Sequence, residues 1–375
     1  MFASRNFLFA KGAAGAPAPV KYQLWAWGQN NFGQLGLGNT TTYYSPKQVG
    51  ALNTWEFLSV QTCSYAGMSI TSDGFLWTWG RNQFGQLGLQ NTTNYSSPKQ
   101  VGALNTWAKL GGNFAYYSVS GIKTDGTLWT WGRNINGTLG LGNAVARSSP
   151  TQVGALTNWS FATTGSNMMA AVKTDGTLWT WGTGSYGRLG LYNNYNYSSP
   201  KQVAGTGWAS VSAGGSFCVA IKTNGTIWSW GLGVYGRLGL GNTTTYISPI
   251  QIGALTNWSK VSAFGAGCVA IKTDGTLWGW GKNDYGQLGT GNRVYRSSPV
   301  QVGALTTWSQ IQTQIEGCIA ITTSGTLFAW GQNNFGQLGQ GDTTNRSSPV
   351  QIGALTTWKV ISGGGKNSAF ALKEA

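Results

Sequence analysis

Short runs of alternating apolar and polar residues recur along the chain, each ending in a Trp-Gly step: LWAWG, LWTWG in three copies, IWSWG, LWGWG and LFAWG. The glycines are Gly28, Gly80, Gly132, Gly182, Gly231, Gly281 and Gly331, at intervals of 49 to 52 residues. Alternation with period two puts both tryptophans of a pair on one face of a strand and the small residue between them on the other. Just upstream stand Asp73-Gly74, Asp125-Gly126, Asp175-Gly176, Asn224-Gly225 and Asp274-Gly275, with Ser324-Gly325 as a weaker copy. Such dipeptides supply the positive φ that a tight hairpin needs. After each Trp-Gly come a Gly-rich turn, as in residues 30–39, and a polar loop that closes on a proline (Pro46, Pro98, Pro150, Pro200, Pro249, Pro299, Pro349). A QVGAL-like segment and a single tryptophan follow (Trp55, Trp107, Trp159, Trp208, Trp258, Trp308, Trp358), then two short strands such as 260–264 and 268–272. Helical spacing is absent, so the pattern predicts an all-β array of seven units.

The two ends complete each other. Residues 360–375 supply the pair of strands that elsewhere precedes the hairpin turn, and the missing third strand is KYQLWAWG at 21–28. One blade is therefore assembled from both termini, which removes two open sheet edges and predicts a closed seven-bladed β-propeller over residues 21–375. Residues 1–20 read as an N-terminal arm and linker, with Phe2, Phe7, Leu8 and Phe9 claimed by no repeat position. Their apolar stretch is four residues, short of a signal-peptide core, and no window of the chain is apolar enough to span a membrane.

Composition narrows the chemistry. The chain has no His, and nine Asp and Glu against 24 Lys and Arg leave a net charge of +15 spread without basic runs. That balance attracts acidic surfaces in general without specifying nucleic acid. A His-based triad is excluded, and four of the acids (Asp73, Asp125, Asp175, Asp274) are committed to turns. Glu56, Asp284, Glu316, Asp342 and Glu374 are scattered singly. No catalytic residue, metal site or cofactor is expected. Cys218, Cys268 and Cys318 share one repeat position, filled elsewhere by Gly67, Val119, Met169 and Ala369, which marks a core site with free thiols. All 20 tryptophans are taken by the repeat, 13 in Trp-Gly strands and seven singly, so none is spare for a stacking platform.

With Leu-Trp-x-Trp-Gly, Asn-x-Phe-Gly-Gln-Leu-Gly and Ser-Pro-x-Gln-Val in place, residues 21–375 resemble the regulator of chromosome condensation repeat family. The resemblance implies a seven-bladed propeller that works by presenting a face to a partner; family members serve as a nucleotide exchange factor on chromatin, a plant ultraviolet photoreceptor, parts of ubiquitin ligases and a β-lactamase inhibitor. The chain departs from the first two. Its spacing leaves no room for the exchange factor's inserted wedge, and it lacks the photoreceptor's Gly-Trp-Arg-His-Thr motif. The family's usual His is replaced by residues such as Phe217, Gly267 and Gly317.

Two features remain as candidate contact sites. Three residues before each repeat proline only Tyr or Arg occurs: Tyr43, Tyr95, Arg147, Tyr197, Tyr246, Arg296 and Arg346. These types dominate interface hot spots, although flat amphipathic side chains also serve to pack a loop on its neighbour, and Arg here is common in the family. The arm, through Phe2, Phe7, Leu8 and Phe9, is the second. The expected function is a non-enzymatic structural or interaction subunit of a larger assembly, in the form of a virion-associated capsid or tail protein, located in a virion or extracellular particle. The alternatives are a module that binds a host-surface glycan or protein through the Tyr/Arg rim, and a chromatin or small-GTPase regulator. Partners are thus other protein subunits or a surface glycan, without specific nucleic acid or membrane insertion.

Overall fold

The structure, a computed structural model, describes residues 21–57, 65–111, 117–362 and 367–375; the arm with Phe2, Phe7, Leu8 and Phe9 lies outside them, as does Cys63. Twenty-eight strands form seven four-stranded antiparallel sheets. Six are contiguous in sequence, from the first blade (Trp55 to Gln100) to the sixth (Trp308 to Gln351). The fifth is typical, with strands Trp258–Phe264, Gly267–Lys272, Leu277–Gly281 and Arg296–Gln301. First strands of consecutive blades touch: the Ala263 N–H donates to Ser212 Oγ at 2.9 Å, and Thr313 Oγ1 donates to the Ala263 carbonyl at 2.7 Å. The first strand is therefore innermost and the fourth forms the outer edge.

The seventh blade pairs the two ends of the chain. Tyr22–Gly28 lies between Tyr43–Gln48 and Ser368–Glu374, with Trp358–Ser362 innermost. Tyr22 opposes Glu374 and Gly28 opposes Ser368 in unbroken register. The ring closes as the terminal complementarity requires. Among the described residues no helix is long and apolar enough to cross a membrane.

The proline-ending segment differs from its reading as a polar loop. It is the outermost strand of every blade, beginning at the Tyr or Arg. An edge strand with one side in water carries no strict alternation and tolerates a proline that cannot donate to a ladder.

Three aromatic rings fill each blade. Trp258 meets Trp278 and Trp280 edge-on at 6.2 and 6.1 Å, and the same trio recurs around the ring, with Phe328 replacing one Trp in the sixth blade. Such contacts add about 0.5–1.5 kcal/mol each beyond burial. Lys272 lays its ammonium 3.7 Å from the Trp278 ring centroid, and Lys123 and Lys173 do likewise over Trp129 and Trp179. The second Trp of each pair also reaches the preceding blade. Its indole N–H donates to a loop carbonyl: Trp79 to Gln34, Trp131 to Gln86, Trp181 to Thr138, Trp230 to Arg188, Trp280 to Arg237, Trp330 to Gln287 and Trp27 to Gln337, at 2.8 to 3.1 Å.

Trp280→Phe is expected to destabilise the ring by about 2 kcal/mol or more, because it empties volume and leaves the Arg237 carbonyl without its donor. Trp278→Phe reproduces a residue the sixth blade already uses and is expected to cost less; denaturant unfolding of the two variants checks the order.

The hairpin turns carry an acid-sensitive contribution. Asp274 accepts the Thr276 hydroxyl at 2.6 Å and backbone N–H at 3.0 Å, and these bonds, the hydroxyl first, hold its carboxyl below the usual range. Asp125 and Asp175 are held down likewise by Thr127 and Thr177. A carboxyl with a depressed folded pKa contributes stability above its unfolded pKa, about 3.9, and loses it as pH falls through the folded value. In the fourth blade Asn224 makes the same two bonds at 2.8 and 3.2 Å. Substituting Asn at 125, 175 and 274 together is therefore expected to keep the fold and flatten the loss of melting temperature below about pH 4.

Candidate functional site

The propeller has two unlike faces. Hairpin turns between second and third strands and the connections between blades occupy one. The loops between third and fourth strands, with the turns between first and second strands, occupy the other, called here the loop face. The loop after each Trp-Gly step is built from its own sequence. Asn283 Oδ1 accepts the Leu288 N–H at 2.9 Å while its Nδ2 donates to the Asn292 carbonyl, also at 2.9 Å. Asn30, Asn82, Asn134 and Asn333 repeat the arrangement. Gly286 and its equivalents lie so close to the next blade's outer strand that a Cβ would fall 2.4 Å from the Ser347 Cα. The Asn-x-Phe-Gly-Gln-Leu-Gly string is thus a docking device between blades.

The Tyr/Arg positions begin the outer strands, each opposite the glycine of a Trp-Gly step, as in Tyr43 opposite Gly28 and Arg296 opposite Gly281. Tyr43, Tyr95, Arg147, Tyr197, Tyr246, Arg296 and Arg346 are all half-buried. The hydroxyls of Tyr43, Tyr95, Tyr197 and Tyr246 accept the side-chain amides of Asn39, Asn91, Asn193 and Asn242 at 3.2 to 3.3 Å. Arg346 pairs with Asp342 at 2.6 Å in the same four-residue spacing. Lys47, Lys99 and Lys201 lie over the rings of Tyr43, Tyr95 and Tyr197. The four tyrosines and Arg346 thus brace their own loops, whereas the Arg296 Nε is buried without a partner among the described residues.

A denser cluster sits on the loop face of the seventh, first and second blades. Arg81 lies 4.6 Å from the Phe32 ring centroid, 5.7 Å from Tyr65 and 5.4 Å from Tyr117, and donates to the Tyr117 hydroxyl at 3.1 Å. Arg133 lies 4.9 Å from Phe84 and 5.9 Å from Tyr117. Phe32 packs on Tyr65 at 5.1 Å and Phe84 on Tyr117 at 4.9 Å. All six side chains are half-buried. Sequence reading missed this cluster because its members sit at three repeat positions; the signal was Arg directly after Trp-Gly in two consecutive blades (Arg81, Arg133).

Across the same face the fifth and sixth blades hold an ionic group. Lys282 pairs with Asp284 at 2.8 Å and Glu316 at 3.6 Å, and Tyr295 donates its hydroxyl to Asp284. Burial pushes the Glu316 carboxyl up from its ordinary value. Cys218, Cys268 and Cys318 are fully buried free thiols whose pKa values burial raises. Among the described residues no three His, Cys, Asp or Glu converge where a metal could bind.

The model of the RCC1-like domain matches residues 113–371, and that of the regulator of chromosome condensation (RCC1) repeat matches residues 23–65 and 73–115. The chain is 31% identical over 134 residues to the ultraviolet-B receptor UVR8 of Arabidopsis thaliana, a match covering 36% of this chain and 30% of the receptor. It is 31% identical over 147 residues to the human probable E3 ubiquitin-protein ligase HERC6, covering 37% of this chain and 14% of the ligase. These matches span under a third of either relative's length. The fold is similar to that of human WBSCR16 (TM-score 0.82, 19% identity, 94% of this chain and 99% of that one). It is also similar to that of Prp20p from Saccharomyces cerevisiae (TM-score 0.80, 16% identity, 95% and 92%). With the propeller, its closing blade and the repeat strings all accounted for, this chain belongs to the RCC1-like domain family.

Proposed function

We propose that the propeller is a non-enzymatic interaction subunit that receives a protein partner on its loop face, as part of a larger assembly. The observation that carries this reading is the cluster of Phe32, Tyr65, Arg81, Phe84, Tyr117 and Arg133. Aromatic and arginine side chains, held rigid by mutual stacking and half open to solvent, have the composition and preorganisation of an interface hot spot. The Tyr/Arg rim would flank the contact and residues 1–20 would add a second anchor. Prp20 is described as binding Gsp1p and histones and has been solved with Kap60; what we carry over is the use of a propeller as a protein-binding surface, not those partners. Within this reading, the uniform repeats and the Asn-, Thr- and Tyr-rich loops suggest a capsid or tail component of a virion as the specific assembly.

The test compares variants of the full chain in co-purification from its native source. Arg81→Glu with Phe84→Ala is expected to lose the proteins that the wild type retains. Leu104→Ser, at a residue 57% exposed on the hairpin face, is expected to keep them. A chain lacking residues 1–20 is expected to retain them more weakly. Equal retention by the loop-face variant would end this reading; particle proteins among those retained would support the virion form.

A further inference from the structure

Seven residues offer the carbonyl that receives a neighbouring Trp N–H, and their side chains are not alike: Gln34, Gln86, Thr138, Arg188, Arg237, Gln287 and Gln337. Four glutamines fold back, so that Oε1 accepts the N–H of Phe32, Phe84, Tyr285 or Phe335 at 2.9 Å. Arginine has no acceptor, and the third and fourth blades therefore give up that bond. The same two blades replace the loop-bracing asparagine by Gly184 and Gly233. Their aromatic residues, Tyr186 and Tyr235, sit at φ 62° and 66°, a left-handed conformation that strains a bulky side chain. The ring thus loses local bonds and takes on strain where two adjacent arginines enter.

Both arginines are deeply buried, at 6% exposure each. Arg188 donates to the carbonyls of Ser185 and Ser166 at 3.0 Å and, more weakly, of Gly215 at 3.5 Å; the last two lie in turns beside the propeller axis. Arg237 donates through Nε to the Val234 carbonyl at 2.9 Å, and its terminal nitrogens meet no acceptor among the described residues. Desolvation lowers the pKa of both, that of Arg237 to about 10, and the Arg188 charge acts on Arg237 in the same sense. Among the described residues neither forms an ion pair; Glu316, whose charge reaches Arg237, is taken by Lys282 and Gln287. Two buried like charges without a counter-ion are costly, and a ligand oxyanion removes that cost.

We propose that Arg237, with the Arg188 charge one blade away, forms an oxyanion site on the loop face that takes one carboxylate or phosphate group. Tyr186 and Tyr235, 52% and 41% exposed with ring centroids 5.8 and 5.5 Å from the two guanidiniums, form its shoulders. A guanidinium fork suits recognition of a single carboxylate or phosphate group. The site stands whether or not the loop face receives a protein.

Calorimetric titration of the full chain with inorganic phosphate and with a pentaglutamate peptide tests it. Binding of either, weakened about tenfold or more in Arg237→Gln and abolished in Arg188→Gln with Arg237→Gln, is the expected result. Glutamine is native at this position in other blades, so the melting temperature should hold or rise. Should the double variant fail to fold, Arg237→Lys, which keeps charge but not the fork, is expected to weaken binding by a similar factor. Phosphate binding alone assigns a free ion, and peptide binding alone assigns a carboxylate presented by a partner. Failure of both probes to bind the wild type, or unchanged binding in these variants, overturns the site.

Discussion

Everything in this ring hangs on a bond between an indole N–H and a backbone carbonyl one blade away. It occurs between every consecutive pair of blades and again across the closing blade. Each bond alone is worth about 1 kcal/mol net, but a buried indole nitrogen left unpaired would cost more, so the geometry is enforced from both sides. The glycine two residues beyond each acceptor sits under the same indole; at Gly239 a Cβ would lie 2.8 Å from the Trp280 nitrogen. The interval from Trp-Gly to Leu-Gly is therefore the inter-blade contact written along the chain. Because the acceptor is main chain, its own side chain is free to change.

That distinction explains what could be read in advance. Blade number, ring closure and the buried thiols were legible because each rests on a residue type that only one role satisfies, such as Gly at positive φ or Cys opposite a buried Trp, as in Cys268 opposite Trp280. The outer strand was not legible. Ser-Ser-Pro on a half-exposed edge has no period, and the pairing that makes it a strand is supplied by the neighbouring Trp-Gly strand. The Tyr/Arg series was found by register alone, which detects every recurring position regardless of its purpose; the hydroxyl bonds to Asn39, Asn91, Asn193 and Asn242 appear only in three dimensions.

The loop-face features escaped for the opposite reason. Repetition draws the eye to what recurs, whereas Arg81 and Arg133, or Arg188 and Arg237, are departures confined to two blades each. In a repeat architecture each unit touches only its neighbours, so a local departure need not disturb the rest of the ring. Such departures are tolerated wherever the main-chain acceptor stays in place, and all four arginines lie in loops that keep it.

Their placement also makes the loop face electrically uneven. Arg81, Arg133, Arg188 and Arg237 follow one another in the first four blades, while the acids described on this face, Asp284, Glu316 and Asp342, belong to the fifth and sixth, where Lys282 and Arg346 already engage them. A net charge of +15 spread evenly would attract any acidic surface without orienting it. A cationic, aromatic arc facing a locally neutralised one gives an approaching partner a preferred azimuth around the axis. A ring of near-identical blades cannot supply that direction through its repeated parts, so it has to come from the positions where the repeat is broken.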